Sequence, residues 1–187
     1  MKRRILNSAE YAAMIAETLP KGILLSSAAG GRVNSMVIGW GTVGANWSRP
    51  VFAAYVRTGR YTRELLDQNP EFTVNIPLGE ADKRTLAVCG GQSGRDLDKI
   101  EACGLHLVPA AEVSVPAILE FPVTLECRIV YRQVQDPGLL PEALAERYYP
   151  QDRDSSVSGS NRDPHVTYFG EILSAYVLEP EEGEFEA

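Results

Sequence analysis

The chain has 187 residues, enough for one full hydrophobic core, and no composition break or Pro/Ser-rich linker divides it, so a single domain is expected over 1–187. A formal net charge of −7 and a pI near 4.9 argue against nucleic acid as a partner, because that affinity rests on clustered Lys and Arg. No apolar run is long enough to span a bilayer, and MKRRILNSAEY lacks the apolar core of a signal peptide, so no membrane partner and a cytoplasmic location are expected.

Residues 8–19 place Tyr11, Met14, Ile15 and Leu19 on one helical face. Asn7 and Glu10 have the spacing of a capping box, and Pro20 supplies the stop. GILLSSA (22–28) and RVNSMVIGW (32–40) are strand-like runs around Ala29-Gly30-Gly31, which predicts a hairpin. Gly39, Gly41 and Gly44 then spell a literal G-x-G-x-x-G. That motif cradles a dinucleotide only where a helix follows the glycines. Here Ala45-Asn46-Trp47-Ser48-Arg49-Pro50 leads into the β-branched and aromatic run 51–57, so the stretch reads strand, loop, strand. The Rossmann reading is set aside.

A helix is expected in RYTRELLDQNP, ended by Pro70, and a strand over 71–77. Two short helices follow at about 81–88 and 96–103, with Gly90 and Gly104 as stops and Ser93 or Asp96 as a cap. In FPVTLECRIVYRQV (121–134), Val123, Leu125, Cys127, Ile129 and Tyr131 alternate with Thr124, Glu126, Arg128 and Arg132. HVTYFGEILSAYVLEP is apolar on both faces, as in a central strand or a subunit contact. From about 179 the chain turns acidic and reads as a solvated tail. Strands without full crossover helices favour an antiparallel β-barrel with a few peripheral helices.

Chemistry concentrates in two segments. Arg57-Thr58-Gly59-Arg60-Tyr61-Thr62-Arg63 places three arginines where a strand ends and a helix begins. Cations are unfavourable at a helix N-terminus unless an anion joins them, and a phosphate would satisfy the site. The loop Gly90-Gly91-Gln92-Ser93-Gly94-Arg95 offers a hydroxyl, a backbone N–H and a cation, although an ordinary helix connection has the same composition. Cys89, Cys103 and Cys127, with only two histidines, indicate neither a disulfide framework nor a zinc site, and Cys89 reads as a buried thiol rather than a nucleophile. His165 could act as an acid or stack on a ring, while a lone histidine is more often structural; His106, in an apolar run, reads as structural. Trp40 reads first as a core aromatic. Asn34, a side-chain amide among apolar strand residues, needs a partner if buried, and the edge of a flat heteroaromatic ligand would supply one.

NSMVIGWGTVG, PVFAAYVRTGRYTRELL, FTVNIP, CGGQSGRDLDK, FPVTLEC and PHVTYFGEI, in that order over roughly 5–178, resemble the flavin reductase-like, FMN-binding split-barrel family, and within it the flavoredoxin-type branch. The resemblance implies a mainly β, antiparallel split barrel, a homodimer, and FMN bound in each subunit. Asn34, Ser35 and Met36 would lie along the isoalloxazine with Trp40 close by. Gly39 and Gly41 would permit close packing beside the ring. Arg57, Thr58, Tyr61 and Thr62 would hold the ribityl phosphate, helped by Ser93, Gly94 and Arg95. The implied activity is flavin-dependent oxidoreduction with NADH, NADPH or a redox protein as donor and no catalytic side chain; a non-catalytic flavin-binding or sensory module is the alternative. Ser35 and Thr58-Gly59-Arg60 depart from the branch, which more often has threonine at the first position and Pro-Ser-Arg at the second.

Overall fold

The computed structural model describes residues 1–180. Its strands are β1 (Lys2–Ile5), β2 (Ile23–Ala29), β3 (Arg32–Ile38), β4 (Gly41–Asn46), β5 (Arg49–Arg57), β6 (Glu71–Ile76), β7 (Leu107–Val108), β8 (Ala117–Ile118), β9 (Val123–Val134) and β10 (His165–Glu179). The helices are α1 (Ser8–Thr18), α2 (Tyr61–Gln68), α3 (Lys83–Gly91), α4 (Lys99–Cys103) and α5 (Glu142–Tyr148).

All pairings are antiparallel. The order is β3-β2-β6-β9-β10-β5-β4, with β1 added to the far end of β10 and β7-β8 forming a small separate pair. Side chains from both ends of this path share one core: Leu25 of β2, Ile38 of β3, Val74 of β6, Leu125 of β9, Phe52 of β5 and, partly buried, Val43 of β4. The sheet therefore curls into a barrel, and its two end strands, β3 and β4, are joined in sequence yet unpaired along their edges. Helix α1 packs Tyr11 and Ile15 into the same core. A second cluster, Leu24, Cys89, Leu105, Ile118 and Phe121, lies under α3 and α4 on the other face of β2.

The capping box of α1 is present, with Asn7 Oδ1 accepting from the Ala9 and Glu10 amides and Glu10 accepting from the Asn7 amide. Gly30 and Gly31, at φ 57° and 77°, make the two-residue turn between β2 and β3. Two expectations need correction. The loop expected over 45–50 shrinks to a tight turn at Trp47 and Ser48, because Gly41 to Asn46 form a strand paired with β5 from Arg49 on. Both turn residues have positive φ, 50° and 56°, without being glycine. Asn46 Oδ1 accepts from the Trp47 amide, and the Trp47 ring rests on Tyr131 and Phe169, which explains how the turn is held. The helix signals also shift, since α3 runs through Gly90 to Gly91, while Asp82 and Asp98 are the caps of α3 and α4. Gly104 does end α4, at φ 62°.

β10 is central, paired to β9 on one side and to β5 on the other. Thr124 and Glu126 of β9 are fully buried, contrary to simple alternation: Thr124 donates to Asn75 of β6, and Glu126 accepts from the Ala111 and Glu112 amides of the segment before β8. Glu179, expected in the tail, ends β10 opposite Lys2; the tail beyond residue 180 lies outside the described residues.

Candidate functional site

A cleft of about 620 Å³ opens beside β3, where the chain leaves that strand for Gly39 and Trp40. Its walls are the outer end of β3, the end of β5, the first turn of α2, the loop from Gly90 to Asp96, and a serine-rich loop over 155–160. Nine of the twelve residues expected at the site line it: Asn34, Met36, Trp40, Arg57, Tyr61, Thr62, Ser93, Gly94 and Arg95. Three do not. The Ser35 hydroxyl, on the opposite face of β3, bonds Ser26 Oγ at 2.7 Å. Gly41 faces the core, where a Cβ would stand 2.7 Å from Phe52 Cζ. Thr58 turns its amide to the Pro164 carbonyl and its carbonyl to Arg63.

Asn34 is buried and donates to Thr62 Oγ1 at 2.9 Å, while its Oδ1 has no hydrogen-bond partner among the described residues. Gly94 packs directly on that amide. A Cβ there would lie 2.0 Å from Asn34 Oδ1 and 2.8 Å from Tyr61 Cδ1, so only glycine lets the loop close over β3. Arg95 locks the same loop to α2, donating to the Gly59 carbonyl and to Glu64 Oε1. Ser93 Oγ accepts from the Arg95 amide. Arg32 and Arg95 both sit over the Tyr61 ring, at 5.5 and 5.6 Å.

The arginines have distinct jobs. Arg57 is buried and spends its guanidinium on main-chain acceptors: the Tyr148 carbonyl at 2.8 Å, Asn161 at 3.2 Å and Asp163 at 2.7 Å. It thereby holds the serine-rich loop against the barrel. Arg63 points away and pairs with Asp67. Arg60, outside the twelve expected residues, lines the cleft half-buried, and its guanidinium has no hydrogen-bond or ion-pair partner among the described residues. Burial lowers its pKa, and the charge of Asp163 partly offsets this. No side chain caps the first turn of α2, although the Arg63 amide donates to the Arg60 carbonyl; the Tyr61 and Thr62 amides and the Arg60 guanidinium have the chemistry to hold an anion.

An aromatic wall faces this cationic end. Trp40 is half-exposed at the rim, its ring 5.1 Å from Tyr148 and 5.0 Å from His165. Burial and the charges of Arg57 and Arg60 depress the His165 pKa to about 3, so the ring is neutral near pH 7. The Tyr149 hydroxyl donates to Gln135 Oε1, which leaves it to accept from His165 Nδ1 at 2.7 Å. His165 is thus a held, uncharged wall residue. His106 is an exposed partner of Glu120. Burial pushes the Cys89 thiol up to about 12, against the nucleophile reading.

Sequence reasoning named Arg60 only within the 57–63 segment and passed over Lys99, Tyr148 and the serines of the 155–160 loop. Arg60 had a signal, standing among the three arginines at the start of α2. The serine loop had none, because only the fold carries it to the cleft. In total Arg57, Arg60, Arg95 and Lys99 line the cleft against one carboxylate, Asp96, in a chain of net charge −7. Such a cleft focuses anions.

Barrel and cleft together define a split antiparallel β-barrel with a cationic, aromatic-walled cleft beside β3. The sequence profile described as "Flavin reductase like domain" matches residues 16–185, and the chain belongs to that family. It is 34% identical over 97 residues to an uncharacterised protein of Archaeoglobus fulgidus, covering 52% of this chain and 54% of the relative. It is 32% identical over 138 residues to an uncharacterised protein of Escherichia coli, YddH, covering 70% and 59%. The chain spans little more than half the length of these relatives. The solved structure of a flavoredoxin from Methanosarcina acetivorans is 26% identical, with a TM-score of 0.60 over 84% of this chain and 68% of that one. Among the described residues no helix is long and apolar enough to cross a membrane.

Proposed function

We propose that this chain is a flavin-dependent oxidoreductase that binds FMN in the cleft and takes electrons from NADH, NADPH or a redox protein. The observation that carries it is the pairing, in one cleft, of an unpartnered Arg60 at an uncapped helix start with an orphaned Asn34 Oδ1 under an aromatic wall. A phosphate suits the first, and an N–H on a ring edge suits the second. The donor set therefore fits FMN. Arg60 and the α2 amides would hold the phosphate, while Arg57 shapes the loop, whose Ser155 and Ser156 hydroxyls bond Asp163 and Asp154. Asn34, Met36 and Trp40 would set the ring plane. Bound flavin supplies the hydride or single-electron chemistry, so the protein needs to position it and limit solvent access. The neutral His165 is not an acid near pH 7.

A homodimer is part of this reading, and the exposed Trp47 and Tyr131 beside Phe169 are an apolar patch available to it. Three unpaired thiols suit a reducing compartment such as the cytoplasm. The test is anaerobic titration of the FMN-loaded protein with NADH and with NADPH, followed at the flavin band near ~450 nm. Bleaching by either supports a nicotinamide-dependent reductase. Bound flavin that bleaches only with a reduced carrier protein supports an electron-transfer role, and bound flavin that no donor reduces is the mark of the binding module.

A further inference from the structure

The three thiols are not equivalent. Cys127 is sealed in the barrel core, whereas Cys89 and Cys103 share the second cluster under α3 and α4. Cys89 stands in the last turn of α3, 1% exposed, and lines the cleft. Cys103 is the last residue of α4, half-buried, directly before the left-handed Gly104. The two side chains hydrogen-bond to each other. Two further contacts fix the same juxtaposition. Lys99, one helical turn before Cys103, donates to the Cys89 carbonyl at 3.0 Å, and Arg84 of α3 donates to the Ala102 carbonyl of α4 at 3.0 Å.

As a purely structural device, a thiol pair joining two short helices is weak. A thiol is a poor donor and a poor acceptor, and two small apolar side chains would fill the cluster as well. What two adjacent thiols add is the capacity to replace a packing contact by a covalent bond. Their exposures set the order. Cys103 is reachable from solvent, while Cys89 is closed off behind it. Burial holds Cys89 as the neutral thiol; Cys103 beside it adds to this and the Lys99 ammonium opposes it. Once Cys103 is oxidised to a neutral group its repulsion is gone, and Lys99 remains to favour the Cys89 thiolate.

We propose that Cys89 and Cys103 are a reversible dithiol site that a hydroperoxide closes to a disulfide, and that this bond weakens the hold of the cleft on FMN. The second half rests on the flavin reading above. The Cys103 sulfur attacks hydrogen peroxide, the O–O bond breaks, and a sulfenic acid and one water result. The Cys89 sulfur then displaces that oxygen, which leaves as a second water, and the S–S bond forms. Two thiols have lost two electrons and two protons, and the peroxide has been reduced to water. An external dithiol reverses the change. The bond draws the ends of α3 and α4 together, and the loop from Gly90 to Asp96 starts at the very next residue. That loop has no slack over β3, since a Cβ on Gly94 would stand 2.0 Å from Asn34 Oδ1. A shift of its α3 anchor must press on Asn34 or lift the loop away, and either disturbs the seat of the ring edge.

The experiment treats folded wild-type protein and Cys103→Ser with hydrogen peroxide, blocks the remaining thiols, and reads peptide masses beside FMN affinity. Cleavage after Glu80, Glu101 and Glu112 puts Cys89, in 81–101, and Cys103, in 102–112, on separate peptides. In wild type these two peptides are found linked, FMN affinity falls at least about tenfold, and dithiothreitol restores it. Cys103→Ser yields no linked peptide, and its FMN affinity stays within about twofold of reduced wild type with or without peroxide. Wild type whose Cys103 goes on to sulfinic or sulfonic acid without linking to Cys89 would overturn the proposal. Linked peptides with unchanged FMN affinity, or an equal loss of affinity in Cys103→Ser, would overturn its second half. Reduced wild-type protein that binds no FMN sinks the flavin reading and that half with it, whereas the linked peptide still decides the dithiol site.

Discussion

Arg57 and Arg60 stand three residues apart, and the structure assigns them opposite tasks, which a pair of alanine substitutions separates. Arg60→Ala removes a half-buried cation whose guanidinium makes no hydrogen bond or ion pair in the described chain, though the charge of Asp163 acts on it. A charge-assisted contact to a phosphate is worth about 1.5–3 kcal/mol, so FMN affinity should fall about 10- to 100-fold. Riboflavin, which has the ring and lacks the phosphate, should change by less than about threefold on the same grounds. Arg57→Ala strips three main-chain acceptors of their donor and frees the serine-rich loop. The cost is about 2–4 kcal/mol of stability, or roughly 4–16 °C in Tm for a chain of this size. FMN and riboflavin should then weaken together. The assay is a pair of binding isotherms, read by quenching of flavin fluorescence, for each variant beside a thermal melt. Equal loss of both ligands in Arg60→Ala, or selective loss of FMN in Arg57→Ala, would refute the division of labour.

Gly94→Ala should destabilise by about 1–3 kcal/mol through overpacking, because the new methyl meets Asn34 Oδ1 and the Tyr61 ring; it should also weaken both flavins, and a wild-type melt with wild-type affinity would contradict the contact. Gly41→Ala meets Phe52 instead, so it should lower Tm while leaving the FMN affinity of the folded protein within about twofold, which binding below the melt will check. His165 makes stability depend on pH. Its folded pKa of about 3 lies below an unfolded value of about 6.5, so the unfolded chain binds the extra proton between these values. Its stabilising contribution is full above pH 6.5 and declines as pH falls, by about 2 kcal/mol at pH 5. In His165→Gln that part of the difference between urea melts at pH 7 and pH 5 should vanish, and an undiminished difference would place its origin elsewhere.

The barrel was legible because its signals are local. Asn7 and Glu10, Gly30 and Gly31, Pro70, and the long apolar run of β10 each specify a nearby piece of backbone. β4 was hidden because Gly41, Gly44 and Asn46 read as loop residues, preferences that cross-strand pairing to β5 overrides, while Ser48 does lie in the turn. The cationic end of the cleft was legible in Arg57 to Arg63 as a group, yet not in its parts, since sequence cannot tell which guanidinium the fold consumes. Arg57 is claimed by carbonyls 91 to 106 residues away, and Lys99 by carbonyls of two other elements. Ser35 and Gly41 fell on the wrong face because a strand alternates and a one-residue step reverses the side chain. The literal G-x-G-x-x-G is resolved in the same terms: Gly39 borders the cleft, Gly41 clears Phe52, and Gly44 sits in β4 opposite Val51.

The central claim is that this cleft recognises FMN through both ring and phosphate. Calorimetric titration of the wild-type chain with FMN and, separately, with riboflavin tests it most directly. One FMN per chain, bound at least about tenfold more tightly than riboflavin, is the expected result. No binding of either ligand, or equal affinity for the two, would contradict the account.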